Sequence, residues 1–149
     1  MRAKSNLFKT FLITGFFAFG LQGYAQDSQI SENELPSPAQ EFLSKNFSGK
    51  KLIRIEKDVD RNTTDYEVRL DDQTKVEFDQ NGNWKEVDGS NNAPIPSGFI
   101  PEKIKKYVTE NYPNQQISKI EKGARKYEVE LTNDLDLDFD LNGDFLRMD

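Results

Sequence analysis

The sequence predicts an α+β fold of two tandem repeats, each one helix plus about four antiparallel strands, with the helices packed on one face of the sheet. Three observations predict it: a self-match at a fixed offset, an apolar stripe of helical period opening each copy, and alternating strand segments punctuated by Asn-Gly. Shifting the chain by 65 positions lays Leu35-Pro36 on Ile100-Pro101, Phe42-Leu43 on Tyr107-Val108, Asn46-Phe47 on Asn111-Tyr112 and Ile55-Glu56-Lys57 on Ile120-Glu121-Lys122. After a gap of four, Tyr66-Glu67-Val68 meets Tyr127-Glu128-Val129, Phe78-Asp79 meets Phe139-Asp140, Asn81-Gly82 meets Asn142-Gly143, and Trp84 meets Phe145. The repeats are thus 35–88 and 100–149, joined by a Gly/Asn/Pro/Ser-rich linker over 89–99.

Taken in order, residues 1–25 read as a secretory signal peptide. Arg2 and Lys4 form a positive start, and 11–21 is an apolar run of about eleven residues, too short for a bilayer span of about 20. Gly23-Tyr24-Ala25 sets small residues ahead of a cut before Gln26, and no Cys stands there to take a lipid. Cleavage leaves 124 residues, one domain's worth, with no membrane span. The polar stretch 26–34 reads as a flexible N-terminal tail.

The first helix follows from Ala39, Phe42, Leu43 and Phe47, spaced to share one face, with Ser37 as the expected cap and Pro38 in the first turn. Its counterpart stripe is Ile104, Tyr107, Val108 and Tyr112. Ser48-Gly49 and Pro113-Asn114 are stop signals. Strands are predicted over 52–57 and 117–122. Tyr66, Val68 and Leu70 alternate with Asp65, Glu67 and Arg69, the period-two mark of a strand buried on one face. Asp71-Asp72 and Asn133-Asp134 read as hairpin turns, and Asn81-Gly82 and Asn142-Gly143 as type I′ turns, which need positive φ at both central residues. Trp84–Val87 and Phe145–Met148 make the last strand of each repeat.

This pattern resembles the PepSY-like family of exported bacterial proteins, whose architecture is similar to that of the β-lactamase inhibitor protein. The residues that carry the resemblance are Leu35-Pro36, Asn46-Phe47, Tyr66-Glu67-Val68, Phe78-Asp79-Gln80-Asn81-Gly82-Asn83-Trp84 and their second-copy partners. It covers the chain beyond the leader as one PepSY-like domain of two units. The resemblance implies an antiparallel sheet, no catalysis, and a sheet face able to grip another protein, as an inhibitor does.

Composition narrows the function. With no Cys and no His, thiol catalysis, disulfides, His-based triads and Cys/His zinc sites are excluded. The net charge is −6; Arg2, Lys4 and Lys9 leave with the leader, so 17 basic residues face 26 acidic ones. Such a chain does not suit nucleic acid, whose binding rests on phosphate neutralisation. No isolated carboxylate in an apolar setting and no nucleophile beside a base marks an active site, so the chain is expected not to be an enzyme and to need no cofactor.

The unusual feature is acidic. Asp134, Asp136, Asp138 and Asp140 alternate with Leu135, Leu137, Phe139 and Leu141, so all four carboxylates are expected on one strand face, joined by Glu128 and Glu130 and relieved by Lys126. Repeat one carries a mixed face of Glu67, Arg69, Lys75 and Glu77. The expected partner-binding residues are therefore Glu128, Glu130, Asp136, Asp138 and Asp140, with another exported protein as the partner. The alternative is a small-ligand or calcium-binding envelope protein. Asp138, Asp140, Asn142, Gly143 and Asp149 match the spacing of a calcium loop, though with strands rather than helices flanking it.

Overall fold

The computed structural model describes residues 28–149. The expected leader, 1–25, lies outside the described residues.

The chain runs β1 (Ser28–Gln29), α1 (Ser37–Asn46), β2 (Leu52–Asp60), β3 (Thr63–Leu70), β4 (Lys75–Phe78), β5 (Trp84–Asp88), α2 (Glu102–Asn111), β6 (Ile117–Lys122), β7 (Lys126–Leu131), β8 (Asp136–Asp140) and β9 (Phe145–Met148), with short 3-10 turns at Glu32–Glu34 and Ser90–Asn92. The strands form one nine-stranded sheet in sequence order, every neighbour antiparallel. The two halves share it: β5 pairs with β6 through Glu86–Glu121, Val87–Ile120 and Asp88–Lys119. No described helix is long and apolar enough to cross a membrane.

Alternation explains the core. Val68, Leu70, Val76, Phe78, Val87, Ile120, Val129, Leu131, Leu137 and Phe139 fall on the same side of their strands and are fully buried. Ala39 and Leu43 of α1 and Ile104 and Val108 of α2 close over that side. Phe42 meets Phe78 edge-on at 5.6 Å, and Tyr107 meets Phe139 edge-on at 5.4 Å. Among the described residues the opposite side of the sheet carries no helix, and charged side chains such as Glu67, Glu77, Glu121 and Glu128 face out from it.

Several expectations are corrected. Residues 28–34, expected to belong to a loose tail, are ordered: Ser28 and Gln29 pair with Lys57 and Glu56, Ile30 N–H donates to Ile55 O, and Ser31 N–H donates to Glu34 Oε2 at 2.8 Å. An unpaired β2 edge accepts even a short strand. Ser37 is the first helical residue rather than the cap, and Gln40 Nε2 instead donates to Leu35 O at 2.8 Å. The segment 89–99 joins the two halves as packed chain: Ile95 is buried and donates its N–H to Ile117 O, and Phe99 packs edge-on against Trp84 at 5.2 Å.

The Asn-Gly turns are not type I′. Gly82 N–H donates to Asp79 O, Asp79 N–H donates to Asn83 O, and positive φ falls on Gly82 (+82°) alone among these residues. This is a three-residue loop, a type I turn followed by a left-handed residue, which shifts the β4–β5 register by one. Gly143 (φ +83°) repeats the geometry. The β3–β4 and β7–β8 loops use it too, with Gln73 (+71°) and Asp134 (+64°) in the left-handed position.

Candidate functional site

Cross-strand register on the open side aligns Glu56, Glu67, Glu77, Glu86, Glu121, Glu128 and Asp138, one from each strand β2 to β8, and ends at Arg147 on β9. Strands stand about 4.8 Å apart, so this is a ladder of carboxylates at close spacing, and like charges placed opposite one another destabilise a sheet. Cations from the adjacent row relieve it. In the first half, Arg54 reaches Glu56 at 2.6 Å, Arg69 reaches Glu67 at 2.8 Å, and Lys75 reaches Glu77 at 2.9 Å and Glu86 at 2.7 Å. Each of these cations sits two residues along its own strand from one acid, the spacing that puts both on one face, and Lys75 also reaches across to Glu86 on β5. Burial alone would lower the Lys75 ammonium, but hydrogen bonds to Glu86 and Glu77 hold it above its ordinary value.

The second half is less well supplied. Lys126 pairs with Glu128 and with Asp138, and Arg147 Nε donates to Asp138 Oδ2 at 2.9 Å. Asp138 is therefore buried under two cations, and the hydrogen bond from Lys126 holds its carboxyl below the usual range, with help from Arg147. Lys119 is 3.6 Å from Glu86. Among the described residues, Glu121, Glu130 and Asp136 form no ion pair. Burial pushes the Glu130 carboxyl up, and the neighbouring Asp136 and Asp88 charges push it further. These three residues, with Lys119, Glu128, Asp138 and Asp149, line a concavity of about 300 Å³ on the open face.

Of the residues singled out in the sequence, the concavity gathers Glu128, Glu130, Asp136 and Asp138. Asp140 is spent on the turn: its Oδ1 accepts the Asn142 and Asp144 N–H groups, both at 2.9 Å, as Asp79 does for Asn81 and Asn83. The Asp144 and Asn142 bonds draw its carboxyl below the usual range. Asp134 sits in the left-handed loop position before β8 and accepts from Asn92. The calcium-loop spacing does not close into a loop. Asp149 N–H donates to Asp136 O, so Asp149 lies at the opposite end of β8 from Asp140, about 13 Å away along a strand. Among the described residues no three carboxylates form a group able to hold a metal.

Three charged residues of the concavity, Lys119, Glu121 and Asp149, stand outside the expected partner-binding set. Glu121 was within reach of the sequence, since it repeats Glu56 at the 65-residue offset and alternates with Ile120.

A family model described as beta-lactamase-inhibitor-like, PepSY-like matches residues 24–74 and 64–147. No curated protein matches. Three solved structures are similar to this chain. A Bacteroides thetaiotaomicron protein, named as calcium-regulated and periplasmic, has 39% identity and a TM-score of 0.79 over 83% of this chain and 96% of its own. A periplasmic protein of the DUF2874 family from Bacteroides vulgatus has 34% identity and a TM-score of 0.79 over 85% and 99%. A second Bacteroides vulgatus periplasmic protein, of unknown function, has 39% identity and a TM-score of 0.78 over 83% and 99%. The family match and the likeness to these solved structures agree, and the chain belongs to the beta-lactamase-inhibitor-like, PepSY-like family of periplasmic or secreted proteins.

Proposed function

We propose that this chain is a non-enzymatic binding module of two tandem units, exported by a leader cleaved after Ala25, that grips a basic surface of another exported protein through the open face of β6–β8. One observation carries the reading: among the described residues Glu121, Glu130 and Asp136 border a concavity without ion pairs, while the other six acids of the ladder are paired from within the chain. A partner bringing Lys or Arg side chains to that concavity relieves repulsion that the free protein carries, so association is favourable and salt-sensitive. The inhibitor-like family supports a hydrolase as the partner. The test is capture from envelope extract on the chain from Gln26 onward, identified by mass spectrometry. Capture is expected at low salt, released by moderate salt, and lost on Glu130→Gln/Asp136→Asn; a partner retained by that variant sinks the reading. Asp138→Asn is not a clean probe, because Asp138 anchors Lys126 and Arg147.

A second reading is supported by the name of the 39% identical relative, which calls that protein calcium-regulated. In it, calcium associates loosely with the charge of the same acidic face, since no three described carboxylates are gathered to hold it. Calorimetric heat and a raised melting temperature on adding calcium, both abolished by chelator, favour it over the protein partner; no heat and no shift remove it.

A further inference from the structure

The two edges of the sheet are finished differently. On one side β1 offers two polar residues, Ser28 and Gln29. On the other, β9 bonds only to β8 and leaves Phe145 (38%), Leu146 (55%) and Met148 (57%) exposed. Natural edge strands are blunted by shortness, charge, proline or a covering loop, because a bare row of N–H and C=O groups templates another strand. The equivalent edge in the first half is not bare: β5 pairs with β6, and Trp84, which matches Phe145 by position, is stacked on Tyr127 and packed against Phe99.

We propose that β9 is where two copies of this chain pair, edge to edge and antiparallel, about a two-fold axis at Met148. The register follows from the residues. Arg147 faces Asp138 on the open side, while Met148 pairs with buried Leu137 on the helix side. Residues opposite each other across an antiparallel pair share a face. A two-fold axis at Arg147 therefore sets Arg147 against itself, a like-charge pair that costs free energy. Moving the axis to Met148 sets Arg147 of each copy against the other's Asp149, twice, around a central Met148–Met148 contact. Arg147 already bonds Asp149 in its own chain at 3.1 Å, so the exchange keeps charges matched, and its Nε keeps Asp138. Asp149 continues the strand, its N–H bonded to Asp136 O at 3.1 Å. The pairing is isologous and therefore closes at two copies.

The chain has no cysteine, which makes the register directly readable. Sedimentation of the chain from Gln26 onward is expected to give twice the monomer mass as concentration rises, and the monomer mass for Asp149→Lys with an unchanged far-UV spectrum. Under mild oxidation Met148→Cys is expected to form a covalent dimer, and Gln29→Cys, on the opposite edge, is not. A chain that stays monomeric at every concentration overturns the proposal. So does a dimer that survives Asp149→Lys, or one that cross-links through Gln29→Cys and not through Met148→Cys.

Discussion

Lys75 Nζ lies 2.7 Å from Glu86 Oε1 at the seam between the two halves of the sheet, with the two side chains 22% and 10% exposed. The same ammonium holds Glu77 at 2.9 Å, so one cation neutralises two rungs of the ladder. Removing one partner of a largely buried pair leaves the other desolvated and unmatched. Lys75→Met is expected to cost about 2–3 kcal/mol in denaturant unfolding, and Lys75→Met/Glu86→Leu to recover most of it, since an apolar pair of similar volume is nearly neutral there.

Glu130 and Asp138 respond to pH with opposite sign. The folded carboxyl of Asp138 is held low by Lys126 and Arg147, so its contribution is full at neutral pH and is lost as pH falls from its ordinary value of 3.8 through the lowered one. The carboxyl of Glu130 is raised by burial and by Asp136, so folding loses stability as pH rises from 4.5 through the raised value. Glu130→Gln is therefore expected to stabilise the protein at pH 7 by about 0.5 kcal/mol, as relief of a cross-strand repulsion. Melting curves taken below pH 4 are expected to show the gain gone.

The turn glycines differ in what surrounds them. A Cβ on Gly82 would stand 2.9 Å from the Ala39 backbone nitrogen and 2.9 Å from Pro36 Cβ, whereas one on Gly143 would meet Lys103 Cβ at 3.1 Å and Ile104 Cγ1 at 3.5 Å, a milder approach that a small shift relieves. Both positions have positive φ, which costs an L-residue about 1–2 kcal/mol. Gly82→Ala is expected to exceed that cost by about 1–2 kcal/mol because α1 must shift, and Gly143→Ala to stay near it. Gln73 bears the same strain already, so Gln73→Gly is expected to raise stability by about 0.5–1 kcal/mol. Thermal unfolding of the three variants gives the order.

Trp84 is the only Trp, and it lies half-buried among Phe42, Phe99 and Tyr127 with ring centroids 5.2–6.4 Å away. Its emission is expected to be blue-shifted in the native protein and to move red on unfolding, together with the far-UV signal. An emission maximum already at the solvent-exposed limit would contradict this packing.

Much of this was legible in the chain. The stripes Ala39/Leu43 and Ile104/Val108 mark the buried helix faces, and Tyr66/Val68/Leu70 mark the core side of β3, because burial imposes the period of the element. What escaped depends on local loop geometry and on strand register. Asn81-Gly82 fits a type I′ turn by composition, but the Asp79 carboxylate captures the Asn81 and Asn83 N–H groups and settles a three-residue loop. Asp134 keeps the alternation of β8 on paper, yet the loop closing β7 onto β8 uses it as the left-handed residue. The carboxylate ladder is a property of register: Glu77 meets Glu86 and Glu86 meets Glu121 only once β4, β5 and β6 are aligned. Alternation within a strand assigns a face, not a neighbour.

Strictly sequential strand order has a kinetic meaning. Most of the sheet is made of hairpins closed by loops of a few residues, so each pairing costs little loop entropy and forms early. Two pairings are exceptions: residues 30–51, including α1, separate two-residue β1 from β2, and residues 89–116, including α2, separate β5 from β6 at that seam between the halves. Refolding is therefore expected to be limited by closure of that seam, with each half assembling first, and substitutions at Val87 or Ile120 to slow folding more than equal losses of stability placed in β2 or β9.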